Sequence, residues 1–281
     1  MSKSPTISFI GAGNMASAII GGMLDSGFKA SSIWASAPDD GHLQSIRKRF
    51  GISVTTDNRY CAQQADIVVL AVKPQAMADV CRDIAPIAQN TRPLMVSIAA
   101  GLGAETLDEW LGGGLPIVRV MPNTPSLVGK GAAGLFASES VTDAQKKAVQ
   151  SVFEGIGIAV WVDDEALLHG VTALSGSGPA YFFLMLEALE AAATDAGVDP
   201  ATARQLAIQT MAGAAEMAAK SEQDPAQLKK NVMSPGGTTE QAVHTFEEGG
   251  MRELVKKAYN AAYKRSEEMA KKLAGEDQNS H

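Results

Sequence analysis

Cysteine and histidine are scarce in this chain. Its 281 residues include only two cysteines, Cys61 and Cys81, and four scattered histidines. Two cysteines do not make a disulfide framework, and neither residue type shows the paired spacing of a zinc site. We therefore expect a metal-free, cytoplasmic protein.

Positive charge and long apolar runs are lacking as well. The formal net charge is -7, and no stripe of Lys and Arg is present to collect phosphates, which argues against nucleic acid or an anionic membrane surface as a partner. No apolar run approaches the roughly 20 residues that span a bilayer. Residues 1–5 lead into a predicted strand without the apolar core of a signal peptide. We expect a small-molecule partner, and neither secretion nor membrane insertion.

The first half of the chain alternates short apolar runs with helical stretches, a pattern typical of a parallel sheet covered by helices. Residues 67–72 are apolar at every position, as expected of a central strand buried on both faces. The predicted fold class is α/β, and the first predicted domain comprises residues 1–163. Its predicted strands are residues 6–10, 32–36, 53–55, 67–72, 94–98, 117–121, 132–137 and 158–162.

The second half, residues 164–281, loses these β-rich segments and becomes rich in Ala, Met, Leu, Glu and Lys. Apolar residues recur at helical spacing through residues 187–196, 202–221 and 240–272, which predicts an almost entirely helical domain. Its small side chains allow helices to approach closely, so we expect it to pack against a second copy of itself; packing within one chain is the alternative. The polar tail, residues 275–281, is expected to fray.

A glycine-rich segment, Gly11-Ala12-Gly13-Asn14-Met15-Ala16, follows the first predicted strand and opens a predicted helix. This is the position and spacing of the Rossmann dinucleotide fingerprint, in which the pyrophosphate meets free N–H groups at a helix start, and Ala is accepted at the third glycine. A glycine-rich turn in an unrelated α/β fold is the alternative. The predicted cofactor contacts here are Ile10, Gly11, Ala12, Gly13, Asn14 and Met15.

The second predicted strand ends at Ser36, where an NAD-selective site usually has Asp or Glu for the ribose hydroxyls. A carboxylate would repel a 2′-phosphate, whereas a hydroxyl can donate to it. We therefore expect NADPH as the preferred cofactor, with NADH possible because Asp39 and Asp40 follow closely. Asn58, after the third strand, is a second candidate donor.

Three further loops follow strands of the predicted sheet and are expected to line its carboxyl edge, where ligands bind in open α/β folds. Lys73 is either a cofactor contact or a solvated strand end. Asn123 lies between two prolines in a constrained loop and is the stronger candidate. The predicted cofactor contacts in these loops are Ala71, Val72, Lys73, Pro74, Ala99 and Asn123.

A second anion-seeking turn lies far along the chain, at Ser234-Pro235-Gly236-Gly237-Thr238-Thr239-Glu240-Gln241. Pro and two Gly followed by two Thr and a Glu-Gln pair are typical of a tight loop leading into a helix, whose first N–H groups lack partners within the helix. Such an end binds carboxylates. The chain therefore offers one turn for a cofactor and another for a substrate.

This loop and the segment at residues 174–181, together with the fingerprint, resemble pyrroline-5-carboxylate reductases. The resemblance covers essentially the whole chain in the family's order; mild departures are Met233 and Thr238. Its motifs are residues 9–15, 71–74, 119–125, 174–181, 221–223 and 231–239.

The resemblance implies a reductase that completes proline synthesis by transferring hydride from NAD(P)H to the C=N carbon of 1-pyrroline-5-carboxylate. It implies a Rossmann domain followed by a helical dimerisation domain, a homodimer as the minimal unit, and an active site that uses both. Family contacts correspond to Ser36 and Asn58 at the adenosine end, to residues 71–74 along the cofactor, and to Asn231 as a further cofactor contact near the substrate. The implied substrate residues are Glu165, Ser234, Gly236, Gly237, Thr238 and Thr239.

The chemistry of a cyclic imine assigns tasks to this loop. Backbone N–H groups of residues 236–239 would hold the carboxylate, and the Thr239 hydroxyl would contact the imine nitrogen as the catalytic group. Because Thr is a weak acid, we expect hydrogen bonding and orientation to outweigh proton donation; a simple helix cap is the alternative for Thr239. His244 and His169 receive no functional role.

Two rival functions remain. A β-hydroxyacid dehydrogenase would need a Lys and an Asn where Phe182 and Leu186 stand. A non-catalytic NADP(H)-binding redox sensor would have no need of the loop at residues 234–241.

Overall fold

The computed structural model describes residues 5–275, apart from the side chain of Ala274. The eight strands in this part of the chain are β1 (Ile7–Ile10), β2 (Ile33–Ser36), β3 (Ser53–Thr55), β4 (Ile67–Leu70), β5 (Leu94–Ser97), β6 (Ile117–Met121), β7 (Gly131–Ala137) and β8 (Gly157–Trp161). Its α-helices are α1 (Asn14–Asp25), α2 (Asp40–Phe50), α3 (Asn58–Gln63), α4 (Pro74–Thr91), α5 (Ala104–Trp110), α6 (Asp143–Glu154), α7 (Leu167–Val171), α8 (Gly178–Asp195), α9 (Pro200–Lys220), α10 (Pro225–Val232), α11 (Thr238–Glu248) and α12 (Met251–Ala274).

All eight strands form one sheet in the order β3-β2-β1-β4-β5-β6-β7-β8. Neighbouring strands run parallel except for β7, which is antiparallel to β6. The order reverses at β1, and the carboxyl ends of β1 and β4 face the crevice where ligands bind in such sheets. The predicted α/β fold with a mostly parallel sheet is confirmed.

The central strands of the sheet are buried on both faces. Ile7, Phe9 and Val69 pack in one apolar cluster, whereas Ile10 and Val68 pack in the other, as the alternation of side chains along a strand requires. All four residues of β4 are buried, as predicted for a central strand. This strand ends two residues earlier than predicted because the chain turns into α4, whose first residue is Pro74.

Local sequence accounts for several helix ends. The side chain of Asp39 caps α2 by accepting from the His42 N–H at 3.1 Å, and Gly51 ends that helix in the left-handed region. A capping box between Thr142 and Gln145 opens α6. These residues define where the two helices begin and where α2 ends.

The helical second half differs from the prediction in its boundaries. The predicted helix at residues 187–196 begins earlier, at Gly178. The stretch predicted as continuous at residues 240–272 is two helices, α11 and α12, separated at Gly249 and Gly250. Gly250 has φ +76°, a conformation that side chains disfavour and that breaks the helix.

The described chain divides into two compact units. One contains the described residues up to Ser177 together with those from Ala262 onward, and the other is Gly178–Ala261. The predicted domain boundary after residue 163 stays a prediction. Of the tail expected to fray, all but Gly275 lies outside the described residues. Within residues 5–275, no helix combines the length and the apolar character needed to cross a membrane.

Candidate active site

The glycine-rich loop between β1 and α1 has the shape of a phosphate cradle. Gly11 has φ +105°, and a Cβ there would lie 2.6 Å from the backbone oxygen of Ala71, so no larger residue fits. Gly13 is the N-cap of α1, makes no side-chain cap, and has nothing within 4 Å of the position of a Cβ. The first N–H groups of α1 therefore face open space at the positive end of the helix dipole. These features fit the pyrophosphate of a dinucleotide.

Ser36 and Asn58, both predicted to contact the adenosine end of the cofactor, form one hydrogen-bonded pair. Ser36 is fully buried, and its hydroxyl donates to Asn58 Oδ1 at 2.8 Å. Within the described chain the amide nitrogen of Asn58 has no acceptor, and this residue is only partly buried. The geometry therefore favours the Asn58 amide as the donor to a ligand, with Ser36 holding it in position.

The loop after β4 combines a close backbone contact with an exposed lysine. The Ala71 N–H donates to the Ile10 oxygen at 2.8 Å, which keeps this loop beside the glycine-rich loop. Lys73 is exposed at the N-cap of α4 and has no side-chain capping bond. In the β5 loop, Ala99 is buried and its N–H donates to the Ser97 hydroxyl at 3.3 Å.

Asn123 connects two segments through its side chain. It is buried, its Nδ2 donates to the Ser175 oxygen at 3.0 Å, and its Oδ1 accepts from the Ala132 N–H at 2.9 Å. Ser175 lies in a π-helical turn, Thr172–Gly176. Because both ends of the amide are occupied by backbone groups, the geometry favours a role in holding these loops over a direct cofactor contact.

Glu165 is held by two donors on one oxygen. Its Oε1 accepts from Arg119 Nη1 at 2.8 Å and from the Ala104 N–H, at the start of α5, at 2.7 Å. In the described chain its Oε2 has no hydrogen-bond partner, and 30% of its side chain is exposed. One carboxylate oxygen is thus fixed while the other is open to a ligand.

Sequence reasoning gave Arg119 no role, although it lies in β6 and only 10% of its side chain is exposed. A guanidinium this deep needs an acidic partner, because an unpaired buried charge costs several kcal/mol. An Arg inside an otherwise apolar strand is the signal that would have indicated such a pair.

The loop before α11 uses two of its own N–H groups internally. Gly237 N–H donates to the Ser234 oxygen at 2.9 Å, and Gly236 N–H donates to Glu240 Oε2 at 2.8 Å. Gly236 has φ +71°, which this tight turn requires. The N–H groups of Thr238 and Thr239 have no acceptor in the part of the chain that the structure describes. The geometry favours these two as carboxylate donors.

Thr238 and Thr239 differ in exposure, and neither side chain caps α11. Gly237 is the N-cap of α11 and no side chain caps this helix end, so Thr239 does not act as a cap. Thr238 is exposed, whereas Thr239 is partly buried. In residues 5–275 the Thr239 hydroxyl has no hydrogen-bond partner, which leaves it available to a substrate.

Asn231 and His244 lie on either side of this loop in sequence. The Asn231 amide is exposed and bonded within its own region, donating to Gln223 Oε1 at 2.7 Å and accepting from Gln227 Nε2 at 2.8 Å. A contact to the cofactor does not require the loss of either bond, because the amide nitrogen carries two hydrogens and the amide oxygen two lone pairs. His244 is exposed on α11.

Comparisons with known proteins agree with this geometry. Residues 165–269 match the family described as pyrroline-5-carboxylate reductase dimerisation, and residues 6–101 match NADP oxidoreductase coenzyme F420-dependent. A pyrroline-5-carboxylate reductase of Pseudomonas aeruginosa is 47% identical over 96% of this chain and 99% of the relative. One of Vibrio alginolyticus is 45% identical over 94% of this chain and 97% of its own length.

Solved structures give the same result. The pyrroline-5-carboxylate reductase of Coxiella burnetii has a TM-score of 0.93 and 43% identity, with 95% of this chain and 99% of that one covered. The Plasmodium falciparum pyrroline carboxylate reductase, solved with NADP bound, has a TM-score of 0.83 and 33% identity, with 95% and 98% covered. The predicted resemblance is confirmed, and the chain belongs to the pyrroline-5-carboxylate reductase family.

Proposed function

We propose that this protein reduces 1-pyrroline-5-carboxylate to L-proline with NADPH, as the last step of proline biosynthesis. The observation that carries the proposal is the start of α11, where two N–H groups and the Thr239 hydroxyl are free within the described chain. They match a ligand with a carboxylate next to a ring nitrogen. Family membership and a dinucleotide cradle in the same chain support the assignment.

NADPH, when bound, supplies the hydride for the C=N carbon of the substrate. The N–H groups of Gly13, Asn14 and Met15 would hold its pyrophosphate, and the Asn58 amide, held by Ser36, would donate to the 2′-phosphate. Position 36 has a serine and not the Asp or Glu of an NAD-selective site, and this supports NADPH over NADH. NADH stays possible because it differs from NADPH only in lacking the 2′-phosphate, so its pyrophosphate would meet the same glycine-rich loop.

The substrate carboxylate would accept from the N–H groups of Thr238 and Thr239, where the dipole of α11 favours negative charge. Ser234 is a further substrate contact in this proposal. Its hydroxyl lies at the exposed start of the turn, whereas Gly236 and Gly237 shape the turn with their internally bonded N–H groups.

The Thr239 hydroxyl would hydrogen-bond to the ring nitrogen and orient the C=N bond. An aliphatic hydroxyl is a weak acid, so we propose that the imine already carries its proton when hydride adds to carbon. The nitrogen then keeps that proton and becomes the amine of proline. Glu165 stays a predicted substrate contact, with one carboxylate oxygen bonded to Arg119 and the Ala104 N–H and the other open in the described chain.

We further propose a cytoplasmic homodimer as the minimal active unit. Support comes from the family described as a dimerisation domain, which matches residues 165–269, and from the exposed apolar side chains of α8. The scarcity of cysteine supports the location.

The test is a reductase assay on the purified protein. NADPH should be consumed when 1-pyrroline-5-carboxylate is added, and proline should form in equal amount. A comparison of kcat/KM for NADPH and NADH should favour NADPH. If NADPH binds but millimolar substrate gives no turnover, the enzyme assignment is wrong and the redox sensor is favoured.

A further inference from the structure

A histidine outside every assigned site touches the phosphate-binding loop. His42 lies in the first turn of α2, just after the β2 loop that ends at the adenosine subsite. Its Nε2 is 2.7 Å from the backbone oxygen of Ala12, between the two glycines of the fingerprint. A carbonyl oxygen can only accept, so the imidazole is the donor and carries a proton on Nε2.

This contact is the one side-chain hydrogen bond made to residues 11–13 in the described chain. The backbone adds Gly11 N–H to the Ser36 oxygen at 2.9 Å, and Ser17 N–H to the Gly13 oxygen at 2.9 Å. Neither of these bonds restrains the peptide group that joins Ala12 to Gly13. His42 is therefore the group that holds this peptide.

The planarity of the peptide bond gives the contact a consequence for the ligand. The Ala12 carbonyl and the Gly13 N–H belong to one trans peptide unit and point in opposite directions. When His42 holds the carbonyl toward α2, the Gly13 N–H is turned away from α2. This N–H has no acceptor among residues 5–275, and the space beside Gly13 is open.

We propose that His42 is a positioning residue for the cofactor: by holding the Ala12 carbonyl, it aims the Gly13 N–H at the pyrophosphate. The inference rests on the dinucleotide binding proposed above. A glycine-flanked peptide rotates easily when its carbonyl is released, because Gly allows conformations that other residues resist. Loss of the His42 bond should therefore weaken pyrophosphate binding without unfolding the domain.

Three substitutions separate the hydrogen bond from the shape of the side chain. His42→Gln places an amide donor at a reach similar to that of Nε2, His42→Asn leaves the donor one methylene short, and His42→Leu removes it. Gln and Leu are better helix formers than His, so neither should weaken α2. The melting temperature of each variant serves as the folding control.

Dissociation constants measured by calorimetry give a readout independent of turnover. We expect His42→Leu and His42→Asn to bind NADPH and NADH about threefold to tenfold more weakly than the wild type, as the loss of one hydrogen bond implies. His42→Gln should stay within about twofold of the wild type. Binding of 2′-AMP, which lacks the pyrophosphate, should not change in any variant.

Three results would overturn the inference. These are unchanged NADPH binding in His42→Leu, equal losses in the Gln and Leu variants, or a loss confined to NADPH and 2′-AMP, which would assign His42 to the 2′-phosphate instead. NADPH binding by the wild type is measured before that of any variant. Its absence would contradict the proposed function itself.

Discussion

At the scale of single residues, the two adjacent threonines have separate tasks. Thr238 is exposed, and its proposed contribution is its backbone N–H, which any residue except proline would supply. Thr239 is partly buried, and its hydroxyl is free within the described chain and does not cap α11. Of the two threonine side chains, only that of Thr239 therefore has a role in the proposed chemistry.

We expect Thr239→Ala to lower kcat/KM about tenfold or more, because it removes a hydrogen bond to a charged nitrogen. The dissociation constant of NADPH should change little. Thr239→Ser, which keeps the hydroxyl, should recover most of the activity, and Thr238→Ala is the matched control. Steady-state kinetics make the comparison. Wild-type rates in Thr239→Ala would show that Thr239 has no catalytic role and is only part of α11.

Substitution of the two fingerprint glycines, Gly11 and Gly13, should have different effects. Gly11→Ala forces a side chain into a positive φ and against the Ala71 oxygen, so its melting temperature should fall. Gly13→Ala has room for a methyl group and ordinary backbone angles, so it should fold normally but bind NADPH weakly because the methyl occupies the ligand's space. Thermal denaturation and calorimetry distinguish the two. Equal melting temperatures for both variants would contradict this account.

At the scale of secondary-structure elements, a neutral histidine attaches the end of α12 to α7. His169 Nδ1 lies 2.9 Å from the Ser266 hydroxyl, and its ring meets the ring of Tyr263 edge-on at 5.9 Å. Burial, followed by the positive charge of Arg119, lowers the pKa of His169 below its usual 6.5. The contact between the helices therefore favours the uncharged imidazole.

This lowered pKa predicts a dependence of stability on pH. As the pH falls through about 6.5, the unfolded chain takes up a proton on His169 before the folded protein does, so the free energy of unfolding decreases until the folded pKa is passed. His169→Asn keeps a polar group facing Ser266 but cannot titrate. Its melting temperature should fall less than that of the wild type between about pH 7.5 and pH 5.5. Parallel pH profiles would contradict the assignment.

The elements themselves were largely predictable from sequence. All eight strands were located because apolar runs and breakers are local signals. The break between α11 and α12 was missed because the apolar spacing continues across Gly249 and Gly250, and Gly alone does not prove a break. The antiparallel direction of β7 depends on a long-range pairing with β6 that local patterns do not contain.

At the scale of the whole molecule, α8 presents large apolar side chains to solvent in the single chain. Phe182, Phe183 and Leu184 are 61%, 65% and 66% exposed, and a groove of about 650 Å³ lies between α8 and α9. Apolar surface of this kind marks an interface between proteins. The match to a dimerisation family over residues 165–269 supports the proposal that the partner is a second copy of this chain.

Phe183→Asp should therefore shift the protein toward monomer, because it places a charge on the apolar face. Light scattering after gel filtration measures the mass. Reductase activity should fall with the dimer, whereas NADPH binding by the glycine-rich loop should persist. Lys48→Asp, on the exposed side of α2, changes charge elsewhere and should leave the mass unchanged. A dimeric, fully active Phe183→Asp would contradict the proposed minimal unit.

Sequence alone identified the family of this protein through its motifs, and it predicted the α/β elements because apolar runs and glycine spacing are short-range signals with direct physical meaning. The chemistry followed from that family resemblance, and the sequence also indicated two candidate anion-binding turns. Only the tertiary structure decided which polar groups are free: Asn123 and one oxygen of Glu165 are already bonded, whereas the Thr239 hydroxyl and the Gly13 N–H have no partner among residues 5–275. The partners of Arg119 and His42 were likewise visible only in the tertiary structure. Hydrogen-bond partners lie far apart in sequence, so no local pattern could have paired them.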